Sequence, residues 1–228
     1  MPTSATDVRA STRLWDGAIA DTYAAIVAHP FLTELTAGTL DPAAFRHYVV
    51  QDALYLADYA RALALTAAKA PHEPDVATFA RHAIGAIEVE RELHGALLAE
   101  LDIDPAALED ARPSPTTLGY TSYLLRVAHQ GSFADALGVV LPCYWVYAEV
   151  GARLLEAGSP DPRYRRWIDT YGGDEFQAVV AEVLAVVDRL GAGWSDAEHA
   201  RVAHHVDVST RYEWLFWDAA HRQETWPV

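Results

Sequence analysis

Hydrophobic positions recur along this chain at intervals of three and four residues, the pattern of helices that bury one face. From Ser11 to Ala28, the residues Leu14, Trp15, Ala18, Ile19, Tyr23, Ile26 and Val27 keep that spacing. His29-Pro30 ends the run, because a residue before proline is pushed out of the helical region. A short helical turn through Phe31, Leu32 and Leu35 closes at Gly38. Asp41-Pro42 then offers a cap and a proline at the first helical position for a long helix to about Ala70, which Pro71 and Pro74 stop. A third helix is predicted from about Asp75 to Leu101, with Asp104-Pro105 opening a single turn beyond it. Ser114-Pro115 starts a fourth helix that ends near Gly131.

The fifth predicted helix, Ser132 to Ala157, is the most apolar. Ser132 and Asp135 have the spacing of a capping box, and Gly158 stands where a left-handed terminal residue belongs. Asp161-Pro162 begins a sixth helix, broken at Gly172-Gly173 and resumed from Asp174 to Leu190. Ser195 and Glu198 open the last, which runs to about Arg222. No segment alternates with a period of two, so the expectation is an all-α fold of seven or eight helices. The joints are short enough for antiparallel neighbours, and no linker divides residues 1–228 into more than one domain.

The fifth helix carries the anomaly. It contains Pro142, which deletes a backbone hydrogen bond and presses on the carbonyl four residues back, at a cost of about 3 kcal/mol. That residue is Gly138, so a kink is predicted between the two, with the chain's one cysteine, Cys143, just beyond it. By itself a single cysteine in an apolar helix reads as a small hydrophobe. Its placement beside a broken local rule raises the weight of a functional role. Tyr147, one turn later, puts a phenol on the same face.

Charge and composition narrow the classes. A net charge of -15, with no basic stretch or Lys/Arg-rich face, disfavours binding to nucleic acid. One cysteine permits no internal disulfide and no clustered thiolate metal site. The first residues lack a signal peptide's basic and apolar regions, and no run approaches the roughly 18 apolar residues of a membrane span. A cytoplasmic protein without membrane attachment is the expectation.

Two more helices carry acids among aromatics. Asp52, Tyr55 and Tyr59 share one face of the long second helix. Glu213 stands among Tyr212, Trp214, Phe216 and Trp217, a setting in which desolvation favours the protonated, proton-donating carboxyl. Tyr120 and Tyr171 add further phenols. Two apparent motifs are set aside. Gly172-Gly173-Asp174-Glu175-Phe176 spells the diguanylate cyclase signature, which belongs on a strand hairpin, whereas helical patterns flank it here. The run Glu88 to His94 suggests di-iron ligation, but neither Glu88 nor Glu90 stands three residues before His94, as that site requires. The ten histidines are scattered and give weak support for a haem ligand.

Taken in order, several stretches closely resemble the TenA or thiaminase II family in its cysteine-containing branch. They are His29-Pro30-Phe31, Gln51 to Leu56, Tyr120 to Leu124, Leu141 to Gly151, Trp167 to Tyr171 and Arg211 to Asp218. The resemblance implies a haem-oxygenase-like bundle that binds no haem, metal or other cofactor, commonly as a homotetramer. It implies hydrolysis of 4-amino-5-aminomethyl-2-methylpyrimidine, or of thiamin, to the hydroxymethylpyrimidine in thiamin salvage. On this likeness Cys143 is the nucleophile, Glu213 the acid and base, and Asp52 the anchor of the pyrimidine. Tyr55, Tyr120, Tyr147 and Tyr171 form the shell that stacks on the ring or orients the sulfur. Tyr120 and Tyr147 are both candidates to hydrogen-bond the sulfur, and Gly172-Gly173 leaves the placement of Tyr171 loose. The alternative expectation is a non-catalytic pyrimidine-binding or regulatory protein on the same fold.

Overall fold

The structure, a computed structural model, describes residues 8–89 and 110–228. Its first helical segment is Ala10–Leu14 (α1), continued by a π turn at Trp15–Ile19 and by Ala20–Val27 (α2). The imidazole of His29 accepts from the Phe31 amide and caps Pro30–Ala37 (α3), which Gly38 ends at φ 71°, a left-handed conformation suited to glycine. Asp41 caps Pro42–Lys69 (α4) through the Ala43 amide. Glu73–Val89 (α5) follows. The rest of the third predicted helix, the Asp104-Pro105 turn, and Glu90 and His94 of the di-iron alternative lie outside the described residues.

Beyond them come Pro115–Gln130 (α6), Phe133–Leu155 (α7), Pro162–Gly172 (α8), Asp174–Gly191 (α9) and Asp196–His221 (α10). Both expected capping boxes form, at Ser132 with Asp135 and at Ser195 with Glu198. No strand occurs among the described residues.

Helix α7 is the axis of the bundle. It packs against α4, α6, α8, α9 and α10, and an element surrounded in this way must be apolar on every side. Buried residues accordingly run along most of its length, from Phe133 to Leu154. Its N-terminus is tied to α10 by Arg201, whose Nε donates to Asp135 Oδ1 at 2.7 Å.

One expectation changes on this helix. By length and composition Phe133–Leu155 is apolar enough to cross a membrane, contrary to the reading from runs of apolar residues. The helix is nevertheless enclosed by its neighbours, with 83% of its most apolar window buried in the fold. It continues through Pro142 without interruption. Gly138 also has a packing reason unrelated to that proline: a Cβ there would meet Val202 Cγ1 at 3.0 Å and the Val202 carbonyl at 3.2 Å, so its absence lets α10 close on α7.

Gly151 plays the corresponding part near the other end. A Cβ on Gly151 would run into the backbone of Tyr171 and into the Gly172 nitrogen at 2.5 Å, while one on Gly172 would meet the Gly151 carbonyl oxygen at 2.8 Å. The glycine pair therefore brings two backbones together. The side chain of Gln177 bridges the same joint, donating to the Ala148 carbonyl at 2.9 Å. Tyr171 is buried beside this joint, and of the double glycine that follows it, Gly172 makes the close contact with Gly151. The cyclase-like letters prove to be a joint between two helices, with Gly172 ending α8 and Asp174 starting α9.

Candidate active site

A cavity of about 480 Å3 opens between α4, α5, α7, α8 and α9, within the range of small-molecule sites. Four of the seven expected site residues line it: Asp52 from α4, Cys143 and Tyr147 from α7, and Tyr171 from α8. The α4 face that carries Asp52 also turns Tyr59 to the cavity. Tyr55, Tyr120 and Glu213 do not line the cavity; they are buried in the bundle behind it.

That inner layer is organised by one short contact. Tyr120 Oη donates to Glu213 Oε1 at 2.5 Å. Glu213 is 1% exposed. Burial pushes its carboxyl up to about 8, the charge of Asp52 adds to the rise, and the Tyr120 bond opposes it. An acid of that strength is largely protonated at neutral pH and can both give and take a proton.

Cys143 is half-buried and faces the cavity. Burial raises its thiol well above the ordinary range and the nearby Glu213 charge adds to this, while Tyr55 and Tyr59 favour the thiolate. The two candidates for the sulfur's hydrogen-bond partner each have another contact. Tyr120 is committed to Glu213, and Tyr147 shares a 3.1 Å hydroxyl contact with Tyr48. The phenols that favour the thiolate, Tyr55 and Tyr59, come from α4, while Tyr120 also lies near the sulfur. Tyr55 approaches both the sulfur and the Tyr120 hydroxyl but meets neither in hydrogen-bonding geometry, leaving its buried hydroxyl unpartnered. Tyr59 lies near the sulfur and donates to the Val140 carbonyl at 3.0 Å.

The aromatic wall is braced from behind. Tyr48, absent from the sequence expectations, takes a hydrogen bond from Trp167 Nε1 at 3.2 Å and holds the Tyr147 hydroxyl. Tyr147 stands over Tyr171, with ring centres 4.9 Å apart. Asp52 shares the cavity lining with Cys143 and these two rings.

The outer part of the cavity was not anticipated. Arg81, His82, Phe176, Val179 and Glu182 line it from α5 and α9. Arg81 pairs with Glu182 at 2.7 Å, and His82 contacts Tyr144 Oη at 3.1 Å and Glu182 Oε2 at 3.2 Å. Tyr144 and His82 carry no spacing signal that would have joined them, since 62 residues separate them in the chain. Among the described residues, no group of three or more His, Cys, Asp and Glu side chains is placed to hold a metal ion.

Comparison with known proteins agrees with this architecture. The chain is 36% identical over 217 residues to the aminopyrimidine aminohydrolase of Bacillus subtilis (strain 168), covering 95% of this chain and 89% of that protein. The structure of a TenA homologue from P. horikoshii OT3 superposes with a TM-score of 0.87 at 28% identity, covering 94% of this chain and 99% of the other. A domain of unknown function from Shewanella denitrificans OS217, described as having a heme oxygenase-like fold, matches with a TM-score of 0.75. Its 16% identity, over 93% of this chain and 90% of that one, bears on the fold alone. The profile of the TENA/THI-4/PQQC family matches residues 17–223, and the chain belongs to that family.

Proposed function

We infer that the protein is an aminopyrimidine aminohydrolase of thiamin salvage, converting 4-amino-5-aminomethyl-2-methylpyrimidine to the hydroxymethylpyrimidine, with thiamin as a second substrate. The observation that carries this reading is the meeting of Asp52, Cys143, Tyr147 and Tyr171 on one cavity, with an acid near pH 8, Glu213, close enough to influence the cysteine.

Each role follows from the chemistry required. A sulfur nucleophile that adds to the pyrimidine destroys its aromaticity, so a ring nitrogen must gain a proton as the carbon–sulfur bond forms. Glu213, mostly protonated at neutral pH and buried directly behind the cavity, supplies it when substrate binding brings ring and carboxyl within hydrogen-bond reach. The electron pair of the dearomatised ring then expels ammonia from the exocyclic carbon, where the substrate carries it as an ammonium. Water adds to the same carbon and loses a proton. Glu213 recovers the ring proton as the carbon–sulfur bond breaks and aromaticity returns. Asp52 accepts from the 4-amino group and fixes the ring, while Tyr147 and Tyr171 offer their faces to it. Tyr55 and Tyr120 hold the sulfur and the acid from behind.

The same reading includes one domain over residues 1–228, a cytoplasmic location, a homotetramer, no cofactor or metal, and no nucleic-acid or membrane partner. Ammonia release from the aminomethylpyrimidine tests it, with thiamin run in parallel and Cys143→Ser as control. Release by the wild type alone supports both reaction and nucleophile. Absence of turnover of either compound by folded protein rejects it in favour of a pyrimidine-binding role.

A further inference from the structure

The thiol of Cys143 holds its proton at rest, so attack requires that the proton go somewhere. Glu213 gives its proton to the ring, and its Oε1 already accepts from Tyr120, which leaves the sulfur's proton to another acceptor. A second set of groups leads away from the sulfur in the opposite direction. The Tyr59 hydroxyl lies near both the sulfur and the Tyr144 hydroxyl, and the two rings stand with centres 5.8 Å apart. Tyr144 Oη meets His82 Nδ1 at 3.1 Å, and His82 Nε2 meets Glu182 Oε2 at 3.2 Å. Cys143, Tyr59, Tyr144, His82 and Glu182 all line the one cavity.

We propose that His82, oriented by Glu182, is the proton-accepting end of a relay through Tyr144 and Tyr59 that takes the proton of Cys143 as its sulfur attacks. The orientation is internally consistent. A carboxylate at Nε2 holds the proton on that nitrogen and leaves Nδ1 as an acceptor for the Tyr144 hydroxyl. Arg81 and Thr78 bind the same carboxylate, at 2.7 Å and 3.0 Å, and keep Glu182 ionised and in place. The groups facing His82 are therefore Tyr144 from α7, Glu182 from α9 and Arg81 on its own helix; burial, the largest influence, keeps the imidazole neutral and able to accept.

In the step itself, the S–H proton passes to the Tyr59 oxygen, the Tyr59 proton to Tyr144, and the Tyr144 proton to His82 Nδ1. The sulfur's electron pair forms the bond to carbon, and the products are an imidazolium paired with Glu182 and two neutral phenols. When the carbon–sulfur bond later breaks, the same protons pass back along the path to the sulfur. No free thiolate is needed, because sulfur becomes a far stronger acid as it bonds to carbon. At rest the Tyr59 hydroxyl points to Val140 O. Rotating it toward Tyr144 completes the path, and such contacts commonly tighten only when substrate is bound. His82 acts on the sulfur through other groups and is a positioning residue.

This inference uses the aminohydrolase reading only in taking Cys143 as the nucleophile, so its test needs no aminopyrimidine. Alkylation of Cys143 by iodoacetamide, followed by mass spectrometry, is compared in the wild type, Tyr59→Phe and His82→Ala, each checked for fold by circular dichroism. The relay predicts at least a tenfold slower alkylation in both variants, a floor set below the roughly 100- to 10,000-fold range usual for general acid–base assistance. Added imidazoles are expected to restore His82→Ala in order of their basicity. An unchanged rate in Tyr59→Phe or His82→Ala, or a defect in His82→Ala that imidazoles restore regardless of basicity or not at all, overturns the proposal. If His82→Ala does not fold, Tyr59→Phe decides alone. Failure of the aminohydrolase reading would appear separately, as absent ammonia release with these alkylation rates unaffected.

Discussion

Tyr120 donates its phenol proton to Glu213 at 2.5 Å, joining the middle of α6 to the last helix inside the core. The bond stabilises the ionised carboxylate, so removing it strengthens the proton affinity of Glu213. In Tyr120→Phe, the fall in activity on the alkaline side is expected at higher pH than in the wild type, for which the Glu213 carboxyl, pushed up to about 8, sets the expected limb. The kcat/KM profile for ammonia release checks this; an unmoved limb would dissociate Glu213 from the proton transfer.

Glu213 also links stability to pH. Its carboxyl titrates at about 8 when folded, against an ordinary value of 4.5. Between those values the folded chain binds more protons than the unfolded chain, so stability falls as pH rises through the window and levels off above it. The full loss is on the order of 5 kcal/mol, an upper bound because the core can relax. Glu213→Gln keeps the shape without the charge, and is expected to match the wild type near pH 5 and exceed its stability at pH 9. Urea titrations at the two pH values read this directly. Its turnover should fall at least about a hundredfold, the usual scale for loss of an acid–base group.

Cys143→Ala is expected to reduce ammonia release by at least roughly a thousandfold, since a covalent route has no substitute for its nucleophile. The side chain faces a cavity, so the stability cost is about 1 kcal/mol or less. Turnover within tenfold of wild type, in protein of unchanged melting temperature, would eliminate the covalent mechanism.

Asp52 is 5% exposed and lines the cavity. Asp52→Asn keeps its size but replaces one acceptor oxygen with a donor, placing a donor against the 4-amino group. A KM increase of about tenfold is expected, corresponding to about 1.4 kcal/mol of lost recognition. Steady-state kinetics with the aminomethylpyrimidine would show whether kcat falls less than KM rises.

Gly151→Ala tests the backbone contact. The added methyl has no room against Tyr171 and Gly172, and overpacking of this kind costs about 1 to 3 kcal/mol. Because α8 must retreat, Tyr171 should leave its place beside Tyr147. Thermal melts together with KM would register both effects, and a melting temperature equal to the wild type would refute the contact's importance.

Local chemistry was legible where it acts within a few residues. The caps at Asp41, Ser114, Ser132, Asp161 and Ser195 all form, because a capping side chain reaches amides two or three positions away. Roles set by distant neighbours were not legible. Gly138 reads as relief for Pro142 until Val202 is found against it, and Gly172 reads as a break until Gly151 is found beneath it. The candidate residues divide similarly. Asp52 and Tyr55 announced themselves by a shared face, and Cys143 by its proline. Tyr59 shared that face, yet its nearness to the sulfur depends on how α4 meets α7. Tyr48 and His82 have no distinguishing sequence context, and only packing brings them to Tyr147 and Tyr144.

The bracing behind the aromatic wall makes the protein its own optical probe. Trp217 lies 5.1 Å from the Tyr147 ring, and Trp167 lies 5.0 Å from Tyr171 and donates to Tyr48. Both indoles are shut off from solvent, so their emission reports the wall and not the water outside. A molecule that shifts either tyrosine changes what these indoles sense, so occupancy of the cavity is expected to alter the share of the chain's intrinsic fluorescence that comes from Trp167 and Trp217.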